Sequence, residues 1–314
     1  MKTILVLFFA LKGISLFAQL HNDTLYSFAM GEDAKITVDA PVEWRDKKCI
    51  LICYALPNGN STEQTMGKKL QPGDDWHFDI QHIKAQTAFI RAALKKNTVV
   101  VAYFENTWKS WPAWKTHHAD YAERVRQMVD TVYGLLPAKD KVIYLSGHSG
   151  GGRFIFSYLD AVSSLPMHVE RISFLDSDYG YDSSYLPKLN GWLHESKKHC
   201  LNVFAYNDSV ALYEGKPVVS ATGGTWYRSH CLLRDLSAAG WHMRNLRNDS
   251  LVVYASGDKR VQFFFKTNPE RKIYHTVQVE RNGFIHSVLC GTKYDSKSYH
   301  YFGERAYNTL IGTN

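Results

Sequence analysis

The sequence predicts an α/β domain built on a mostly parallel sheet, and three observations carry that prediction. From about residue 79 onwards, apolar strand-like runs alternate with segments of helical periodicity. The run Cys49 to Ala55 is unbroken by charge, as a strand buried on both faces must be. At Val142-Ile-Tyr-Leu-Ser146-Gly147-His148-Ser149-Gly150-Gly151-Gly152-Arg153, an apolar strand runs into a glycine-rich turn. A helix follows, marked by Phe154, Tyr158 and Val162.

A chain of 314 residues with 45% apolar residues can bury a substantial core. No linker divides it, so 19–314 is expected to form a single domain. Residues 1–18 carry a lysine, an apolar run and a small-residue end at Ala18, the pattern of a cleaved secretory leader. The run is too short to span a bilayer. The expectation is a secreted or periplasmic protein with no stable membrane insertion. Loss of Lys2 and Lys12 with the leader takes the formal charge from +7 to +5 (7 − 2). Basic residues are scattered among acids rather than gathered in a stripe, which argues against nucleic acid as a partner.

The five cysteines are an odd number, so at least one is free or pairs outside the chain. Cys49 and Cys53 would stand about 13 Å apart on a strand, too far to bridge. There is no C-x-x-C and no H-E-x-x-H, so neither a metal nor a cofactor is implied.

Taken in order, Lys35 to Asp39 alternates weakly as an early strand and Cys49 to Ala55 is a firmer one, ending in the turn cluster Leu56-Pro57-Asn58-Gly59-Asn60-Ser61. Asp79 opens a helix with Ile80, Ile83, Thr87, Ile90 and Leu94 on one face, and Thr98 to Phe104 is the next strand. A loop with Trp108, Trp111 and Trp114 comes after it. These rings would either stack on a sugar or aromatic acyl group or pack the loop onto the body. Tyr121, Val125, Met128, Val132 and Leu135 mark the helix before the glycine-rich turn. Later strands are read at Val169 to Leu175, ending at Asp176 and Asp178, and at Leu201 to Tyr206, ending at Asp208. A hairpin is expected around Glu214-Gly215-Lys216, a helix at Arg228 to Ala239, and strands at Leu251 to Ala255 and Val261 to Phe265. Any cap over a site belongs to residues 207–270. Lys272 to Glu280 reads as the last strand, with His286 in the loop after it.

Gly147-His148-Ser149-Gly150-Gly151 fits G-x-S-x-G, a bend too sharp for neighbours with side chains. The stretch resembles the nucleophile elbow of the α/β-hydrolase superfamily, and motif order extends the resemblance from about Lys35 to the C-terminus. It implies helices on both faces of the sheet, an esterase-like serine hydrolase, and the chain order serine, acid, histidine. Ser149, then Asp176 or Asp208, then His286 keeps that order. Asp176 is preferred because it leaves its strand directly; Asp178 is a third candidate, and Asp208 could instead cap its own turn. His275 falls within the strand pattern, and His148 should point away from the nucleophile and shape the elbow.

The resemblance also implies an oxyanion hole. Gly150 would supply one N–H, and the Asn58-Gly59 loop, which lacks the usual His-Gly pair, the other. The expected reaction is two-step acyl transfer on a small-molecule or glycan ester. A peptidase with the same residues, and an inactive binding protein on the same fold, are the alternatives.

Overall fold

Apolar runs that carry no charge become the centre of one large sheet in the computed structural model of the protein, which describes residues 25–44, 48–248 and 250–312. The chain opens with β1 (Leu25–Met30) and β2 (Ala34–Asp39), an antiparallel hairpin. There follow β3 (Cys49–Ala55), helices α1 (Thr62–Met66) and α2 (Ile83–Ala93), β4 (Thr98–Asn106), α3 (Trp111–Thr116), α4 (Tyr121–Leu135) and β5 (Lys141–His148). The second half contains α5 (Gly152–Ala161), β6 (Val169–Leu175), α6 (Leu186–Glu195), β7 (Cys200–Tyr206) and the two-residue strands β8 (Leu212–Tyr213) and β9 (Lys216–Pro217). It closes with α7 (Thr225–Ala238), β10 (Met243–Asn248), β11 (Leu251–Ser256), β12 (Val261–Lys266) and α8 (Phe284–Leu289).

Ten strands lie in the order β1-β2-β4-β3-β5-β6-β7-β12-β11-β10. The six central ones, β4 to β12 in that order, are mutually parallel; the pairs at either flank are antiparallel. Parallel neighbours require crossover connections, so helices cover both faces. β3 shows how one strand serves two cores: Cys49, Leu51, Cys53 and Ala55 face one, and Ile50, Ile52 and Tyr54 the other. Residues of α3 to α7, such as Trp114, Val129, Phe154, Trp192 and Leu232, fill the first core. Met66, Ile90, Phe284 and Val288, from α1, α2 and α8, belong to the second.

This topology gathers function at one edge. The chain leaves β3 towards β4 on one side, and β5 lies on β3's other side. That reversal opens a crevice outside the carboxyl ends of the strands, where ligands of open α/β sheets bind. The connections after β3, β5, β6, β7 and β12 deliver Asn58, Ser149, Asp176, Asp208 and His275 to that edge.

Three elements differ from expectation. The first helix starts at Ile83 rather than Asp79, because His82 takes a left-handed backbone (φ 48°) and Trp76–Asp79 is a separate 3-10 turn capped by Asp75. Residues 272–280, which alternate like a strand, form none: β12 already occupies the place beside β7, and the chain after it crosses the sheet edge through turns. Residues 207–270, where a cap was expected, form the exposed β8–β9 hairpin, α7 and three strands that extend the sheet. No helix among the described residues is long and apolar enough to cross a membrane.

Candidate active site

Ser149 follows β5 immediately, with a left-handed backbone (φ 55°), and begins a 3-10 turn that leads into α5. That conformation costs a residue with a side chain about 1–3 kcal/mol and persists only where surroundings enforce it. Here they do. A Cβ on Gly152 would overlap the Ser177 carbonyl, and one on Gly150 would overlap the Asn58 side-chain amide. At 152 the neighbour is backbone, so no residue with a side chain fits there; at 150 a side chain would displace the Asn58 amide.

Asp176 leaves β6 in the same unusual way (φ 48°) and is fully buried. Its Oδ2 is hydrogen-bonded to His275 Nδ1, and its Oδ1 accepts the Thr225 hydroxyl. The Asp176 N–H donates to the Phe204 carbonyl at 2.8 Å, which fixes the strand end. A carboxylate on Nδ1 keeps the proton there and leaves Nε2 as the basic nitrogen. His275 is held from a second side by His148, the residue before the serine. Its Nε2–H donates to the His275 carbonyl at 3.0 Å, and the two rings lie 4.6 Å apart. Burial, and the His275 ring beside it, push His148 well below the ordinary histidine range, so it stays neutral.

The structure brings Ser149, Asp176 and His275 to one edge and leaves His286 elsewhere. His286 sits on α8 with 4% of its surface exposed. Its Nδ1 is 2.9 Å from the Tyr299 hydroxyl, and its ring is stacked on Tyr301 and edge-on to Phe204 and Phe264. Asp295 is farther, 3.9 Å from the same nitrogen. Burial pushes His286 down to about 4. The last parallel strand is β12, so the loop after it holds His275. The alternation Lys272 to Glu280 masked this by imitating one strand more.

Asp208 stands beside Asp176 with a different task. Its Oδ2 accepts the Thr225 N–H at 2.8 Å, so it caps the N-terminus of α7 and thereby sets the hydroxyl that meets Asp176. Burial and the charge of Asp176 raise Asp208 to about 6. Asp178 accepts from the Ser229 hydroxyl at 2.8 Å, and burial raises it well above the usual carboxylate range. Thr225, which follows Gly223 and Gly224, carries no local sequence signal of this contact.

Of the expected oxyanion donors, Gly150 and Asn58 meet beside Ser149, whereas the Gly59 N–H is already donated to the Lys109 carbonyl at 2.8 Å. Trp111 is buried against Phe154 and Trp114, and Trp114 against Trp111 and His118, which is the packing alternative; Trp108 remains 40% exposed. Cys49, Cys53, Cys200, Cys231 and Cys290 are all unpaired. No group of three or more His, Cys, Asp or Glu side chains among the described residues could hold a metal.

Ser149 opens into a cavity of about 300 Å³ whose lining includes Asn58, Gly150, Arg153, Ser177 and Tyr179. Tyr179 also faces the His275 ring, 6.4 Å away, and so links the cavity to the Asp176–His275 pair. A larger hollow of about 430 Å³ lies beside the β1–β2 hairpin, between Phe28, Lys35 and Glu105, with none of these groups in its lining.

The mixed, mostly parallel sheet, covered on both faces and carrying a serine elbow after β5, has the architecture of the α/β-hydrolase fold. No family model and no curated protein matches the chain. Among solved structures it is similar to an acetyl xylan esterase from Aspergillus awamori, with 10% identity, TM-score 0.44, and coverage of 78% of this chain and 93% of that one. It is also similar to the siderophore hydrolase EstA from Aspergillus nidulans (12%, TM-score 0.45, covering 85% and 95%). A third is a mutant feruloyl esterase module from Clostridium thermocellum complexed with sinapinate (12%, TM-score 0.41, covering 92% and 85%). These likenesses assign no residue roles here; function is read from the site.

Proposed function

We propose that the protein is a serine hydrolase that cleaves an ester through an acyl-enzyme, with Ser149 as nucleophile, His275 as base and Asp176 as the carboxylate that orients it. The observation that carries this reading is the Asp176–His275 hydrogen bond, held against the residue that precedes a serine in strained, left-handed conformation.

A serine hydroxyl is too weak a nucleophile unaided. In the proposed cycle His275 Nε2 accepts the Ser149 proton as Oγ attacks the carbonyl carbon. The buried carboxylate of Asp176 stabilises the imidazolium that forms. The oxyanion would be met by the Gly150 N–H and a donor from Asn58, which lies beside it in the same cavity. His275 then returns the proton to the leaving alcohol, and water, activated by the same nitrogen, frees the acid and restores Ser149.

A cavity of about 300 Å³ suits a small acyl group rather than a long chain. We infer a small-molecule ester or a carbohydrate-linked one as substrate, with Trp108 the exposed aromatic nearest in sequence to the α3 segment that borders the site. Export to the periplasm or medium remains part of the proposal; residues 1–18, its basis, lie outside the described residues.

The test is a fluorophosphonate probe followed by peptide mapping and assays on acyl esters and short peptide amides. An adduct on Ser149 with ester turnover is expected. Absence of the adduct overturns the hydrolase reading, and faster amide than ester turnover overturns the esterase one.

A further inference from the structure

Among the described residues, Arg153 is the one charged side chain in the lining of the Ser149 cavity. It lies in the first turn of α5, four residues beyond the nucleophile, about 6 Å along the axis at 1.5 Å per residue. Its guanidinium rests against the strand-end loop after β6: a Cβ on Gly180 would come within 2.9 Å of Nη2. Among the described residues, no carboxylate lies within ion-pair distance of it. The acids in its neighbourhood are engaged otherwise. Asp160 accepts from the Tyr121 and Tyr185 hydroxyls at 2.9 and 2.8 Å and from Lys115 at 3.4 Å. Asp182, on which Arg153 exerts its charge, accepts the Ser184 N–H at 2.9 Å.

A guanidinium in the lining of a cavity, with no carboxylate at ion-pair distance, offers a planar fork of donors that matches a carboxylate. In the same cavity as Ser149, that fork faces the space a substrate would occupy. We propose that Arg153 recognises a carboxylate on the substrate, so that the preferred ester is a hemi-ester carrying an anionic group about four to six bonds from the reacting carbonyl. Arg153 touches the substrate's remote carboxylate and takes no part in proton transfer. The inference rests on Ser149 being the nucleophile, as proposed above.

Two matched pairs of esters test it. One is the 4-nitrophenyl hemi-ester of adipic acid against its methyl-capped counterpart; the other is O-acetyl-4-hydroxybenzoate against its methyl ester. The wild-type protein should prefer the charged member of at least one pair by tenfold or more in kcat/KM, and the preference should shrink with added salt. Arg153→Gln should bring that ratio to within threefold of unity, Arg153→Lys should leave it in between, and Gly180→Ala, which intrudes on the guanidinium, should lower it at least threefold. No preference in either pair, or a preference that survives Arg153→Gln, overturns the proposal. Binding separates it from the hydrolase reading: in the Ser149→Ala protein, monomethyl adipate should bind at least tenfold more weakly once Arg153→Gln is added. If wild type hydrolyses no ester yet this difference stands, only the nucleophile assignment fails; if binding is equal, the anion site fails.

Discussion

His275 and His286 stand one short helix apart in sequence and in opposite surroundings. His275 lies on the chain that crosses the sheet edge after β12, with 22% of its side chain exposed, Nδ1 on the Asp176 carboxylate and its backbone tied to His148. His286 lies inside α8, boxed by Phe204, Phe264 and Tyr301, with a phenol on Nδ1. The first environment fixes a tautomer through its hydrogen bond; the second, by burial, disfavours the charged form. What faces each ring separates these two histidines, which position in the chain alone could not do.

The largest effects should fall on the edge. Ser149→Ala or His275→Ala is expected to lower kcat for an aryl ester by roughly 10⁶-fold, and the double variant by no more, because nucleophile and base act as a unit. Additive losses in steady-state kinetics would break the pairing. Next, Asp176→Asn should cost about 10⁴-fold in kcat by holding His275 in the wrong tautomer. Asp208→Asn, which keeps an oxygen for the Thr225 N–H, should stay within tenfold. The reverse order would move the orienting acid to the end of β7.

Smaller effects sharpen the contrast in stability. Trp111→Ala should cost about 3–5 kcal/mol in denaturant unfolding through the cavity it leaves, while Trp108→Ala costs little and is visible, if at all, only with a carbohydrate-linked substrate. His286 should govern part of the acid sensitivity. Its folded-state value, about 4, lies below the ordinary 6.5, so the unfolded chain binds the proton more readily. The contribution is therefore fully present above pH 6.5 and lost as pH falls towards 4, roughly 2 kcal/mol between 6.5 and 5. His286→Phe should flatten that part of the melting curve against pH; an unchanged slope would place the acid sensitivity elsewhere.

The central strands were legible because a parallel strand buried on both faces must be an uninterrupted apolar run: Cys49–Ala55 and Val169–Leu175 end where the sequence places them. The elbow was legible for a related reason, since at 152 only glycine tolerates the approach of the Ser177 carbonyl. The edge strand β10 (Met243–Asn248) was not, because basic residues at 244 and 247 interrupt it and only one of its sides is paired. His275 was hidden by local alternation in Lys272 to Glu280, a pattern that states periodicity but not whether a neighbouring strand is free to pair. Thr225 and the capping role of Asp208 depend on contacts between distant elements, which no local pattern encodes.

The central claim is that His275, not His286, activates Ser149, and the most direct measurement is the rate constant for fluorophosphonate modification of Ser149 in two variants with melting temperatures checked. The account predicts a fall of about 10³-fold or more in His275→Ala and a rate within tenfold of wild type in His286→Phe. A wild-type rate in His275→Ala together with a collapse in His286→Phe would contradict it.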